Sequence, residues 1–103
     1  MRTLLKVTPD VEAGSSAIQS GELDRILSEL AEMIQPEASY FLTEEGHRTA
    51  LYVFDMKDPS QIPQIAEDLF QVLKAEVQFS PVMNQEELER GLGAWAEAHH
   101  ATV

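Results

Sequence analysis

The groups in this chain that could move a proton or hold a metal are three histidines, two tyrosines, seven Lys and Arg and eighteen carboxylates; there is no cysteine. Without cysteine, thiolate metal sites, disulfides and cysteine nucleophiles are excluded. His47 stands beside Glu44 and Glu45, a set that could ligate a metal or act as a base. The adjoining Gly46 marks a turn, and the exposed polarity of a turn accounts for the same residues. His99 and His100 are neighbours, so on a helix they point about 100° apart and cannot chelate together. No HExxH, P-loop or EF-hand spacing occurs. Gly91-Leu92-Gly93-Ala94-Trp95-Ala96 fits a relaxed dinucleotide fingerprint, which needs a strand before it and a helix opening at the glycines. Here the glycines fall inside a helical pattern, where they would let a helix bend or pack closely. No cofactor and no metal are therefore expected.

The carboxylates read as solvation. Glu86, Glu87 and Glu89 fall in the first turns of a helix, where negative charge suits the dipole. Glu67 and Asp68 lie off the neighbouring apolar stripe, and no two acids converge on one cleft as paired acid–base chemistry requires. Three polar residues on strand-like segments remain as ligand-binding candidates: Lys6, Tyr40 and Tyr52. A lysine whose pKa is lowered by burial, or two phenols in a cavity, could orient a ligand. Each also has a structural reading: Lys6 in a rim ion pair near Glu76 or Gln78, the tyrosines in core or interface packing.

Eighteen Asp and Glu against seven Lys and Arg leave a net charge of −11. The cations are scattered singly, so neither nucleic acid nor an anionic membrane is an expected partner. No apolar stretch approaches the roughly 20 residues of a membrane span, and the N-terminal residues lack a secretory pattern. A cytoplasmic protein is expected. At 103 residues the chain reads as a single domain, residues 1–103.

The elements that must position these groups follow from pattern. Arg2 to Thr8 forms a strand stopped by Pro9. Asp10 opens a polar stretch with room for a turn or two of helix. Leu23, Ile26, Leu27, Leu30, Met33 and Ile34 follow the helical rhythm, with Ser20 as N-cap and Pro36 as stop. Residues 38–42 and 50–54 form a hairpin around Glu45-Gly46. A second helix carries Ile62, Ile65, Ala66, Leu69, Phe70 and Leu73, and residues 75–80 alternate as an edge strand. Asn84 and Glu87 form a capping box for a last helix, whose Leu88, Leu92, Trp95, Ala96 and His99 would line an inner face. Residues 98 to 103 are expected to fray.

The order βαββαβ plus a C-terminal helix is the ferredoxin-like arrangement: α+β, with a four-stranded antiparallel sheet. Right-handed crossovers place both long helices on one sheet face. Yet the hairpin segments Ala38-Ser39-Tyr40-Phe41-Leu42 and Ala50-Leu51-Tyr52-Val53-Phe54 have almost no polar face. Strands with one wet face alternate, so both faces should be covered, the second by a partner chain. A homodimer with paired sheets is the expectation.

The segments Thr49-Ala50-Leu51-Tyr52-Val53-Phe54-Asp55-Met56-Lys57-Asp58-Pro59-Ser60-Gln61-Ile62 and Ala75-Glu76-Val77-Gln78-Phe79-Ser80-Pro81-Val82 resemble the third strand and last strand of dimeric α/β-barrel proteins. The muconolactone isomerase-like group and small uncharacterised members are the relatives suggested, over residues 2 to 83. The resemblance implies a homodimer with a sheet-walled cavity, in a superfamily of isomerases, cofactor-free monooxygenases and members without known activity. No catalytic residue of that superfamily maps onto this chain. Two classes of function stay open. One is a homodimer holding a small apolar or aromatic molecule between sheet and helices, with proton transfer as the chemistry if it is an enzyme. The other is a non-catalytic assembly module with a filled core. A cavity above about 300 Å³ with convergent polar groups separates them.

Overall fold

A computed structural model describes residues 1–100, the side chain of residue 100 excepted. The elements run β1 (Arg2–Thr8), α1 (Val11–Ser20), α2 (Glu22–Ile34), β2 (Ala38–Glu44), β3 (His47–Asp55), α3 (Gln61–Leu73), β4 (Glu76–Pro81) and α4 (Gln85–His100). Four strands form one sheet in the order β2-β3-β1-β4, and every neighbouring pair is antiparallel. This α+β order is compatible with a ferredoxin-like fold.

Local chemistry sets the element ends. The β2–β3 turn is two residues long, with Glu45 at φ 52° and Gly46 at φ 79°. Positive φ at both positions is the primed turn whose twist matches that of the strands, and glycine meets it without strain. The hairpin is therefore longer than its apolar runs, because residues 43–44 and 47–49 continue the ladder through polar side chains. The stretch after Pro9 is a full ten-residue helix rather than a turn or two. Asp10 caps it by accepting from the Ala13 amide at 3.0 Å, so one capping bond outweighs the poor helix propensity of Gly14-Ser15-Ser16. Gly21, at φ 83°, ends α1 and starts α2. It holds the capping position expected of Ser20, while the Ser20 hydroxyl accepts from the Glu22 amide at 3.3 Å.

α1, α2 and α3 lie on one face of the sheet. Leu5, Val7, Ala50, Tyr52 and Phe54 are buried beneath them, against Ile26, Leu30, Ile65, Leu69 and Leu73. Tyr52, whose direction the apolar pattern leaves open, faces the helices. Met33, Ile62 and Phe70, part of the expected stripes, are exposed because they sit at the stripe margins. On the opposite face no helix lies over Leu4, Lys6, Leu51 and Val53, which are half-buried by their strand neighbours alone.

Two elements stand apart. All of β2 from Ser39 onward is exposed. α4 has no inner face: every residue from Leu88 to His99 is exposed, which corrects the expected packing of Leu88, Leu92, Trp95, Ala96 and His99 against the body. A Cβ placed on Gly91 or Gly93 would meet nothing within 4 Å, so these glycines serve no close packing among the described residues. The helix runs to His100, and the rest of the expected tail, residues 101–103, lies outside the described part.

The two hairpin phenylalanines are alike in sequence and opposite in setting: Phe54 is 1% exposed and Phe41 63%. Phe54→Ala should cost about 3–5 kcal/mol of folding stability by leaving a cavity. Phe41→Ala, read by the same denaturant titration at low protein concentration, should cost under about 1 kcal/mol.

Candidate functional site

Two concavities flank the sheet. The first lies on the helix side, where α1 and α2 stop short of β2. Val7, Leu23, Leu27, Phe41, Ala50 and Leu73 line an apolar groove of about 410 Å³. Its shape follows from topology: β2 is the outermost strand, and nothing crosses over it, so the space between α2 and the hairpin stays open. Phe41 stands over this gap, edge-on to Tyr52 with ring centroids 5.9 Å apart.

Polar groups at the groove are Thr43, Thr49 and Arg48. The guanidinium of Arg48 donates to the Val11 carbonyl at 3.2 Å and to the Ser15 hydroxyl at 3.2 Å. Both acceptors are neutral, and among the described residues no carboxylate pairs with it. Gly14 makes room for it: a Cβ there would stand 3.1 Å from Arg48 Nη1. The pattern-breaking Gly14 in α1 thus gives clearance to a cation from the hairpin. Arg48 was hidden in sequence within what read as a turn. Period two counted back from Phe54, Tyr52 and Ala50 puts residue 48 on the same face, and that count is the signal that finds it.

The second concavity, about 560 Å³, lies on the open face and is polar, with Lys6, Asp10, Glu44, His47, Lys74 and Glu76 among its walls. Lys6 lies opposite Gln78 on β4, as period two requires. Its ion pair, however, reaches the other way, to Glu44 of β2 at 2.8 Å, in place of the expected Glu76 or Gln78 partner. His47 shares a hydrogen bond with the Glu45 carbonyl across 3.0 Å. Among the described residues no three His, Asp or Glu side chains are grouped to hold a metal ion.

The three candidates from sequence fall into separate environments. Lys6 belongs to the polar concavity and is engaged by Glu44. Tyr40 is 66% exposed on the edge strand, and Tyr52 is 2% exposed in the core. Burial raises the pKa of the Tyr52 phenol above its ordinary value, so it is an uncharged wall and not a phenolate base. The structure does not bring these three side chains together.

A further cluster anchors α4. Arg2 donates through Nε to Glu37 at 3.0 Å and through Nη1 to Glu87 Oε1 at 2.6 Å. The same Glu87 oxygen accepts from the Asn84 amide at 2.9 Å, and Asn84 Oδ1 accepts from the Glu87 amide at 2.8 Å. That is the capping box read from sequence, with an arginine added. The root of α4 is thereby tied to β1, and the Val82 amide adds a bond to the Arg2 carbonyl at 3.1 Å.

No known family matches the chain, and no curated protein or solved structure is detectably similar to it. Among the described residues no helix is long and apolar enough to cross a membrane.

The Asn84 amide, then Arg2, hold the Glu87 carboxyl below its ordinary value. A depressed carboxylate adds stability that is complete above the ordinary range near pH 4.5 and is lost as pH falls through the depressed value. Protection factors of the amides in residues 85–90, corrected for the intrinsic pH dependence of exchange, should therefore fall on acidification before those of the sheet amides. Glu87→Gln should show that lower protection at neutral pH and lose its acid dependence. Asn84→Ala should weaken the first turn by about 1 kcal/mol.

Proposed function

We propose that the protein is a homodimeric binder of a small apolar or aromatic molecule, held in the groove between the sheet and α2. The observation that carries this is the groove itself: about 410 Å³, walled by Leu23, Leu27, Phe41 and Ala50. That volume falls within the roughly 300–1,000 Å³ of small-molecule sites.

Arg48 refines the ligand class. A guanidinium bonded only to neutral oxygens at the rim of an apolar groove suits a carboxylate, which it can grip with two parallel hydrogen bonds. The preferred ligand is then a small aromatic or aliphatic carboxylic acid, its apolar part against Leu27 and Phe41 and its charge at Arg48. The groove contains no histidine or carboxylate, so binding is better supported than proton-transfer catalysis. Dimerisation through the open sheet faces is part of the reading. It is supported by the uncovered Leu4, Leu51 and Val53, and it would make the paired-sheet architecture that the sequence suggests.

One observation favours the alternative of a non-catalytic assembly module: the largest uncovered apolar side chains, on β2 and α4, lie outside the groove's interior or at its lip. Calorimetry with 2-naphthoate and its uncharged analogue 2-naphthol separates the two. Saturable binding of the acid is expected, weakened about tenfold or more in Arg48→Ala, the scale of one charge-assisted bond. Leu27→Trp, which fills the groove from a half-buried position, should abolish binding of both. Absence of saturable binding by either probe would favour the assembly module.

A further inference from the structure

α4 is a 16-residue helix, about 24 Å long, yet among the described residues it is tied to the body at its first turn alone. A compact chain of 103 residues has a radius of gyration near 13 Å, whereas this one measures 17.5 Å, with a longest extent of 63 Å. Leu88, Leu92 and Trp95 fall at i, i+4 and i+7 and form one apolar stripe. Trp95 is 62% exposed, and its indole stacks on His99 of the same helix, at 4.5 Å.

A matching surface lies on the opposite sheet edge. Tyr40 and Leu42 are exposed apolar residues of β2 on the open face of the sheet, opposite Leu51 and Thr49, while Phe41 between them turns to the helix side. The outer backbone edge of this strand is unpaired, a state that natural sheets usually blunt or cover. α4 leaves the body after β4, at the far edge of the sheet order β2-β3-β1-β4. The stripe and the strand are thus held apart within one chain.

We propose that α4 is an exchanged arm, its Leu88-Leu92-Trp95 stripe packing on Tyr40 and Leu42 of a second copy, reciprocally. The area supports that occupant. A folded chain of 11.5 kDa exposes about 5,800 Å², while this one exposes 7034 Å². The excess, on the order of 1,000 Å², is of the size one partner buries in a standard interface, about 800 Å². Exchange also needs no second kind of protein, since each copy carries both surfaces. The inference rests on the homodimer reading and adds to it which element closes the dimer.

The full chain tests this directly, because Trp95 is its sole tryptophan. Light scattering gives the mass, and the Trp95 emission maximum gives its burial. Expected are a dimeric mass, a blue-shifted emission that reddens as dilution halves the mass, and a dimer weakened about tenfold or more by Leu92→Asp and by Tyr40→Asp. Both sites are exposed, so neither variant should unfold the body, and far-ultraviolet circular dichroism checks that. A dimer whose Trp95 emission is red and indifferent to both substitutions overturns the arm while leaving the homodimer standing. Weakening by Leu92→Asp but not Tyr40→Asp overturns β2 as the docking strand. Blue emission in a monomer would mean that the helix folds onto its own body, and red emission in a monomer overturns arm and homodimer together.

Discussion

Both crossovers of this chain pass over the same face of the sheet, and most of its remaining properties descend from that constraint. α1 and α2 join β1 to β2, α3 joins β3 to β4, and all three bury one layer of Leu5, Val7, Tyr52 and Phe54. A right-handed connection between parallel strands of one sheet allows little else. With three helices committed to one face, α4 is the one remaining helix among the described residues. It does not cover the other face, because Arg2, Asn84 and Glu87 fix its root in a direction that carries it away from the sheet. The uncovered face, the bare edge strand and the projecting helix are one consequence seen three times.

The same geometry makes the groove. A crossover helix packs best over the strands it joins and the strand between them. Here β3 and β1 lie in the middle of the order and receive that cover, while β2 at the edge receives none. The gap is therefore apolar on its walls and open at its lip, and Arg48 crosses it to bind α1. Its guanidinium accepts an awkward position because Gly14 gives it room and because Val11 and Ser15 offer oxygen acceptors. Burying a charge without such acceptors would be costly.

Much of the fold was legible because periodicity and punctuation agreed. Leu5 and Val7 alternate with Lys6, Glu45-Gly46 demands a primed turn, and Asn84 with Glu87 announces a helix start. What was not legible depends on tertiary cover. Phe41 and Phe54 sit in equally apolar runs, and only strand order makes one an edge residue and the other core. Ten helical residues through Gly14-Ser15-Ser16 were hidden because propensity is weak against a good cap and a sheet to pack on. The site was read less well than the fold. Lys6, Tyr40 and Tyr52 are polar residues on apolar strands, yet they lie in a polar concavity, on an edge and in the core. Arg48 went unseen because its strand begins earlier than the apolar run that marks it.

Charge bears on how such surfaces could be used. A chain of net charge −11 repels its own copies at long range, so association must come from apolar contact and local complementarity. α4 is itself acidic in its first turns, through Glu86, Glu87 and Glu89, but one of those charges is already neutralised by Arg2. Beyond Arg90 the helix carries a single further acid, Glu97, so Leu92 and Trp95 of its apolar stripe lie in the less charged half of the arm. The repulsion is thereby kept near the root, where the chain's own arginine offsets it. The distal turns that carry Leu92 and Trp95 are left free to meet an apolar surface. Self-association governed this way should strengthen with salt as the net repulsion is screened, whereas an interface held by ion pairs would weaken.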